Sequence, residues 1–522
     1  MLFKKILIII LLQITISSSF LLAQVRVSTN FESGSLGSMS IIDSNIIKIN
    51  NIDSLISYSL LINSRFDPLN PVDTSLAPSA RWYYFKLKGV KNKLITLYIN
   101  NSEAIRPFYS YDGINFNRFD LSENRIKNTI TTIFSKDTVY ISHFKPYTYS
   151  RHQNKISDWK TNKNVTHEHI GFSSNNIPID LLTITDNSID NSEKKRVWIH
   201  GRSHPSEAPS SWHLEFMIDN LLSNNPLSKD LLRNTVFYII PIINPDGVIG
   251  GYSRSSSTGV NIEINWDRPD TLTMPEVKSL RAKLIQLTEK SPLNLLLNMH
   301  SQIANSITYW IHTAESTNDM FLKDQMLLSS LTINHTPYYR PEDQRFSHVS
   351  SKYVEGWIWD NFADSTMAIT FETPYTYYNE DKYGEWVSLE NLKELANSSI
   401  LAISDYLSIG GDSRKILNYN NFRNIKGYKS IVNDPSKVYH GKSYFIALNS
   451  GSKLDIVVNS LSKGRYRLYR WNTGENNKVF PETTNRWELI DTINHNKKGK
   501  FKYKYRSEYT GDIINSFILV KE

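Results

Sequence analysis

Residues 196–222 read RVWIHGRSHPSEAPSSWHLEFMIDNLL. The first five predict a strand, while Leu214, Met217, Ile218, Leu221 and Leu222 fall at i, i+3, i+4, i+7 and i+8, one apolar face of a helix. A His and a Glu therefore stand three apart, at 204 and 207, beyond the carboxyl end of a strand. Open α/β sheets bind ligands at that edge. Alone the pair says little, because thirteen histidines and a Glu at roughly one residue in twenty give about one H-x-x-E by chance. His312-Thr313-Ala314-Glu315 is indeed a second match.

The order of the downstream segments separates the two. Residues 236–243 predict another strand, ending at Asn244-Pro245-Asp246-Gly247, and Arg254 lies just beyond. Residues 293–299 predict a strand followed by His300, and residues 367–371 one followed by Glu372. A last amphipathic helix carries Leu392, Leu395, Ala396, Ile403, Tyr406 and Leu407 and closes at Gly410-Gly411. Apolar strands alternating with such helices are the signature of a layered α/β domain.

Outside this region the texture changes. Residues 25–150 are dense in Tyr, Phe, Ile and Thr, with short alternating runs such as 81–87 and 94–99, which predicts an N-terminal antiparallel β-sandwich. From Asp412 the chain is rich in Asn, Lys, Gly and Tyr, with strand-like runs at 444–448 and 466–470, which predicts a C-terminal β-rich module. Lys4 and Lys5, the apolar run 6–12 and Leu22-Ala23-Gln24 read as a secretory signal cleaved after Ala23. That run is shorter than the ~20 residues a spanning helix needs, so the expected protein is exported, to periplasm, surface or medium, with no membrane span after cleavage. The expected division is 1–23 signal, 24–155 sandwich, 156–411 α/β domain and 412–522 C-terminal module.

At 522 residues the chain is long enough for several domains, and it contains no cysteine. Thiol nucleophiles, thiolate metal sites and disulfides are thereby excluded, and any metal must be held by His, Asp or Glu. A net charge of +8, spread over this length, gives little support to nucleic-acid binding.

The succession His204-Pro205-Ser206-Glu207, Asn244-Pro245-Asp246-Gly247, Arg254, His300 and Thr370-Phe371-Glu372 resembles the zinc carboxypeptidase family, and GRSHPSEAPSSW is similar to its cytosolic-carboxypeptidase branch. Arg81-Trp82-Tyr83-Tyr84-Phe85 and Lys145-Pro146-Tyr147-Thr148-Tyr149-Ser150 also look like that branch. The resemblance implies a mixed-sheet α/β fold and one Zn²⁺ per chain, held by His204, Glu207 and His300. It further implies Glu372 as general base and Arg254 as the group that polarises the scissile carbonyl. Two neutral imidazoles and a carboxylate leave a fourth zinc position open, where the pKa of water falls toward neutrality. The function implied is hydrolysis of C-terminal peptide bonds in peptides or proteins, with peptidoglycan stem peptides as one conceivable substrate.

One departure bears on that function. In Gly259-Val260-Asn261-Ile262-Glu263-Ile264-Asn265-Trp266, Glu263 and Ile264 stand where the family places Asn-Arg, whose arginine clamps the substrate's terminal carboxylate. Isoleucine cannot make that bidentate clamp. Arg268 is the candidate replacement, with Asn265 beside it as a second substrate-binding candidate, and Glu263 is conceivable as a reader of a substrate amine. Tyr353 is the candidate for the family's mobile tyrosine. The alternative functions are a related zinc hydrolase acting on another amide, or a catalytically silent binding module. Two further features take the plainer reading: His167-Glu168-His169 as a solvated loop rather than a metal pair on one strand face, and the Lys/aromatic alternation at 497–506 as a solvated edge strand. Oligomeric state is not read from the sequence.

Overall fold

The computed structural model describes residues 25–48, 54–103, 106–124, 128–336, 338–339, 343–378, 385–409, 430–432, 442–450, 453–471, 487–506 and 512–522. The expected signal at 1–23 and the Gly410-Gly411 helix stop lie outside the described residues. Two compact units are formed: one from Met1–Phe66, Ser79–Pro146 and Gly250–Tyr252, the other from Asp67–Pro78, Tyr147–Ile249 and Ser253–Glu522.

In the first unit the strands are β1 (Arg26–Ser28), β2 (Ser38–Lys48), β3 (Ser54–Asn63), β4 (Tyr84–Lys88), β5 (Leu94–Asn100), β6 (Phe108–Ser110), β7 (Asn117–Arg118), β8 (Thr129–Ile133) and β9 (Thr138–Ser142). They make two sheets, ordered β1-β4-β9-β6-β7 and β2-β3-β5-β8. Tyr58, Leu60, Ile62, Phe85, Leu87, Ile95, Leu97, Val139 and Ile141 fill one core between them. The expected sandwich is present, but it is not wholly antiparallel, since β3 and β5 pair in parallel. The chain leaves β3 for β4 in the other sheet before returning as β5, and such a crossover restores the original direction.

The second unit is organised by an eight-stranded mixed sheet of β10 (Val165–Phe172), β11 (Pro178–Ile184), β12 (Lys195–Gly201), β13 (Thr235–Ile240), β14 (Leu295–Gln302), β15 (Thr308–His312), β16 (Arg345–Ser347) and β17 (Met367–Pro374). Its order is β10-β11-β13-β12-β14-β17-β15-β16. The four central strands, β13-β12-β14-β17, are parallel. Trp198, Leu296 and Ala368 pack on one face with Val277, Leu280 and Leu284. The alternate residues Val197, Ile199, Leu295, Leu297 and Ile369 are buried as well. Burial on both faces is why these strands read as unbroken apolar runs rather than alternations.

The helix Ala208–Leu221 packs against the last helix, Leu389–Tyr406. The sequence shows one apolar face, yet Ser210, Ser211, His213 and Glu215 are buried too. Their polar atoms are accommodated individually: His213 Nδ1 lies 3.2 Å from Thr373 Oγ1 and Nε2 3.0 Å from Ser399 Oγ, and Glu215 Oε2 accepts from Arg151 Nε at 3.0 Å. Strands beyond the α/β domain include Lys442–Ser450, Gly464–Trp471, Trp487–His495 and Asp512–Lys521 in one sheet, as the β-rich reading expects. The 497–506 segment contributes the strand Gly499–Arg506. No helix among the described residues is long and apolar enough to cross a membrane.

The last helix begins at a reciprocal cap, in which Ser388 Oγ accepts from Asn391 N and Asn391 Oδ1 accepts from Ser388 N. Ser388→Ala should lower the unfolding free energy by about 1 kcal/mol. An unchanged denaturation midpoint would contradict the cap's contribution.

Candidate metal centre and active site

Because β12, β14 and β17 are adjacent and parallel, their carboxyl ends open on one edge. The 202–207 loop leaves β12 there, and His300 and Glu372 are Cα partners across β14 and β17. Glu207 is the N-cap of the helix Ala208–Leu221, but its side chain makes no capping bond. It turns instead between two imidazoles: Oε1 is 2.8 Å from His204 Nδ1, and Oε2 is 2.8 Å from His300 Nδ1. Ser301 N donates to Oε2 at 3.0 Å, and Arg254 Nη1 is 3.5 Å from Oε1. All three members of this triad are buried, and their donor atoms lie within 4.8 Å of one another.

The outer ring nitrogens decide whether the triad suits a metal. His204 Nε2 lies 3.2 Å from Asn261 Oδ1, and His300 Nε2 lies 3.0 Å from Glu263 Oε2. With a metal bound, the proton of each ring would sit on this outer nitrogen, leaving Nδ1 to ligate beside the carboxylate. That donor set fits zinc. Burial, helped by Arg254, pushes the His204 imidazole down to about 4, so it is neutral near pH 7. Burial acts the same way on His300, but the Glu263 and Glu207 carboxylates outweigh it and hold that ring well above the ordinary value. A metal must therefore displace a proton from His300. Apparent zinc affinity should fall from neutral to mildly acidic pH, and pH-independent affinity by competition titration would contradict this.

Glu372 is half-buried at the end of β17, and desolvation with the nearby Glu207 charge raises its carboxyl to about 7. Trp310 Nε1 donates to Oε1 at 3.3 Å, while Oε2 has no hydrogen-bond partner among the described residues. Arg254 is positioned through its backbone: Asp67 accepts from the amides of Ser253 and Arg254 at 2.7 Å each and of Ser255 at 3.1 Å. The loops are also tied together. Ser206 N donates to Ser253 O, and Asn244 Nδ2 donates to Ser203 O, both at 3.0 Å. A Cβ on Gly247 would stand 2.2 Å from Pro205 Cγ, so the glycine of the Asn-Pro-Asp-Gly turn permits this close approach. Arg202 holds a φ of +66°, and its guanidinium donates to Pro205 O at 2.8 Å and Ser211 Oγ at 3.0 Å.

The remaining sequence candidates are engaged elsewhere. Asn265 Oδ1 accepts from Met274 N at 2.7 Å and thus ties its own loop. The Arg268 guanidinium lies 3.9 Å from both Asp73 and Asp267. Glu263, considered as a reader of a substrate amine, is buried against His300 and accepts from Asn298 Nδ2 at 2.8 Å. Tyr353 is the N-cap residue of the helix Val354–Phe362. In the second H-x-x-E, His312 ends β15 with Nδ1 3.3 Å from Ser347 Oγ, while Glu315 is exposed. Contrary to the loop reading, His167-Glu168-His169 lies on strand β10.

Asp67, Arg202 and Asn261 were given no role in the site from the sequence. Asp67 carried no signal, being 186 residues from Ser253. Asn261 had one, its spacing of two from Glu263 around the short 3-10 turn Ile262–Ile264. Asp67→Ala would leave three amides of the Arg254 loop without their acceptor, at about 1–3 kcal/mol for each left buried. It should reduce kcat/KM by ~10-fold or more and lower Tm, whereas wild-type kinetics would remove Asp67 from the positioning of Arg254.

Residues 157–381 match the zinc carboxypeptidase family. Cytosolic carboxypeptidase 6 of Mus musculus is 34% identical over 184 residues, covering 33% of this chain and 34% of that protein. Cytosolic carboxypeptidase 3 of Bos taurus is 28% identical over 315 residues, covering 53% and 31%. An uncharacterized protein of Zymomonas mobilis is 26% identical over 234 residues, covering 43% and 59%. The chain thus spans between about a third and three fifths of the length of these relatives. A metallo-carboxypeptidase from Burkholderia cenocepacia has the same fold, with a TM-score of 0.60 at 20% identity over 74% of this chain and 99% of that one. The metallo-carboxypeptidase from Pseudomonas aeruginosa in complex with (2-guanidinoethylmercapto)succinic acid gives 0.58 at 18%, over 73% and 98%.

Proposed function

Since the chain carries a zinc carboxypeptidase domain over residues 157–381, we propose that it is a metallopeptidase hydrolysing the amide bond at the carboxyl end of peptides or proteins. The observation that carries this reading is the convergence of His204 Nδ1 and His300 Nδ1 on the two oxygens of Glu207. His204, Glu207 and His300 would hold a zinc ion, which would supply Lewis acidity and lower the pKa of bound water toward neutrality. Glu372, the strand partner of His300, takes the proton of the attacking water. A carboxyl raised to about 7 suits both that step and the return of the proton to the leaving amine. Arg254, with its guanidinium at the triad and its backbone held by Asp67, stabilises the negative charge that develops on the carbonyl oxygen.

A second reading has its own observation: Ile264 replaces the clamping arginine, and the residue beside it, Glu263, faces a metal ligand. On that reading the enzyme cleaves an amide whose carboxyl neighbour is not a free α-carboxylate. Matched free-carboxyl and carboxyl-amidated peptides, with cell-wall stem peptides in the same panel, decide between them. Preference for the free carboxyl supports the carboxypeptidase; equal cleavage supports the second reading.

The catalytic assignment is tested independently of substrate preference. His204→Ala and His300→Ala should lose zinc while keeping their circular dichroism. Glu372→Gln should keep zinc and fold but lose ~100-fold or more in kcat. Full zinc retention in both histidine variants, or near-normal turnover by Glu372→Gln, would overturn the corresponding role.

A further inference from the structure

The segment His167-Glu168-His169 is not absorbed by the site above. On β10, an edge strand of the eight-stranded sheet, residues two apart share a face. The two imidazoles are accordingly neighbours, with ring centroids 4.9 Å apart. Glu168 points away from them and pairs with Lys283 at 2.8 Å. The register places Asp180 of β11 opposite His169. Its carboxylate is 1% exposed, and its Oδ1 lies 2.8 Å from His167 Nε2 and 3.1 Å from His169 Nδ1.

The other carboxylate oxygen is already committed. Gln153 Nε2 donates to Oδ2 at 2.7 Å, and His152 Nε2 lies 3.2 Å away, both from the helix Tyr149–Trp159. A backing pair of this kind fixes which oxygen faces outward, as outer-shell partners do for metal ligands. We infer that His167, His169 and Asp180 form a second binding site, distinct from the His204 triad, for a divalent transition-metal ion of the zinc class.

Two nitrogens and one oxygen suit that class, and their donor atoms lie within 4.8 Å of one another. Ligands about 2.0–2.2 Å from one tetrahedral ion stand roughly 3.4 Å apart, so the ring nitrogens, now at 2.8 and 3.1 Å from Asp180 Oδ1, need move away from that oxygen by about 0.3–0.6 Å. His169, 46% exposed, has room to do so. Solvent can reach the remaining coordination positions from that exposed side. The competing account is hydrogen bonding alone, with the imidazoles around a buried carboxylate and no affinity for metal.

The full chain, free of any polyhistidine tag, should be titrated with Zn²⁺ by calorimetry and the bound metal counted after gel filtration. Wild type should take two equivalents and His204→Ala one. His169→Ala and His167→Gln should also take one each and retain peptidase activity. The inference is overturned if wild type binds a single equivalent, or if the second persists in a His167→Gln/His169→Ala double variant. Co²⁺ supplies a second readout: the spectral component lost in His169→Ala should differ from the one lost in His204→Ala, and loss of the same component in both would equally overturn it.

Discussion

Glu207 is a carboxylate almost sealed from water, and the architecture around it answers to that one charge. An unpaired buried ion costs several kcal/mol. Here it is met by two imidazoles, the Ser301 amide and the Arg254 guanidinium, drawn from the end of β14 and from the 202–207 and 253–255 loops. Its place at the N-terminus of a buried helix adds the favourable end of the helix dipole. The same arrangement gathers the candidate metal ligands. The atoms that stabilise the carboxylate and those that suit zinc are largely one set, which makes the triad the hinge between fold and chemistry.

Much of this was legible in the chain. The central strands are buried on both faces, so their apolar runs at 196–200, 293–299 and 367–371 stand out, and the chemical residues follow within a few positions of their ends. Parallel pairing then brings those ends together, so the order along the sequence reports the arrangement in space. Residues acting through the backbone left no such trace. Asp67 is a lone acid near a proline when read in sequence, and only the fold brings it to the amides of 253–255. Strand β10 was missed for a related reason: Val165-Thr166-His167-Glu168-His169 lacks apolar alternation, and its extended form comes from pairing with β11.

Buried polar residues were harder still to place. Residues 295–300 read LLLNMH, in which Asn298 looks like an interruption of a strand. In the structure its side-chain amide donates to Glu263 at 2.8 Å and to Thr370 Oγ1 at 3.0 Å, two residues before the candidate ligand His300. Glu355 closes the group through Thr370 Oγ1, and burial, with the charge of Glu263, raises its carboxyl to about 7. A neutral Glu355 can share that space with an ionised Glu263; two full charges there would repel. The network holds the outer carboxylate of His300 in place, and its members are scattered over four elements.

The turn at 261–264 is where this chain parts from the pattern it resembles, and the geometry gives that difference a physical sense. Asn261 and Glu263, two apart around the 3-10 turn, each present an oxygen to the outer nitrogen of a different histidine. One short segment thereby stands behind both candidate metal-ligating rings. A carboxylate behind His300 makes that ring a stronger donor and offsets part of a metal's charge. It also places negative charge where an arginine clamp would have placed positive charge beside it, and Ile264 offers nothing to a substrate carboxylate. A free chain end approaching this turn would find no cation in it, so its recognition would rest on a cation from another segment. On the proposed zinc reading, Glu263 would support a metal ligand where the turn offers nothing to a carboxylate, and the choice between chain-end and other amides would rest on which cation, if any, replaces the clamp.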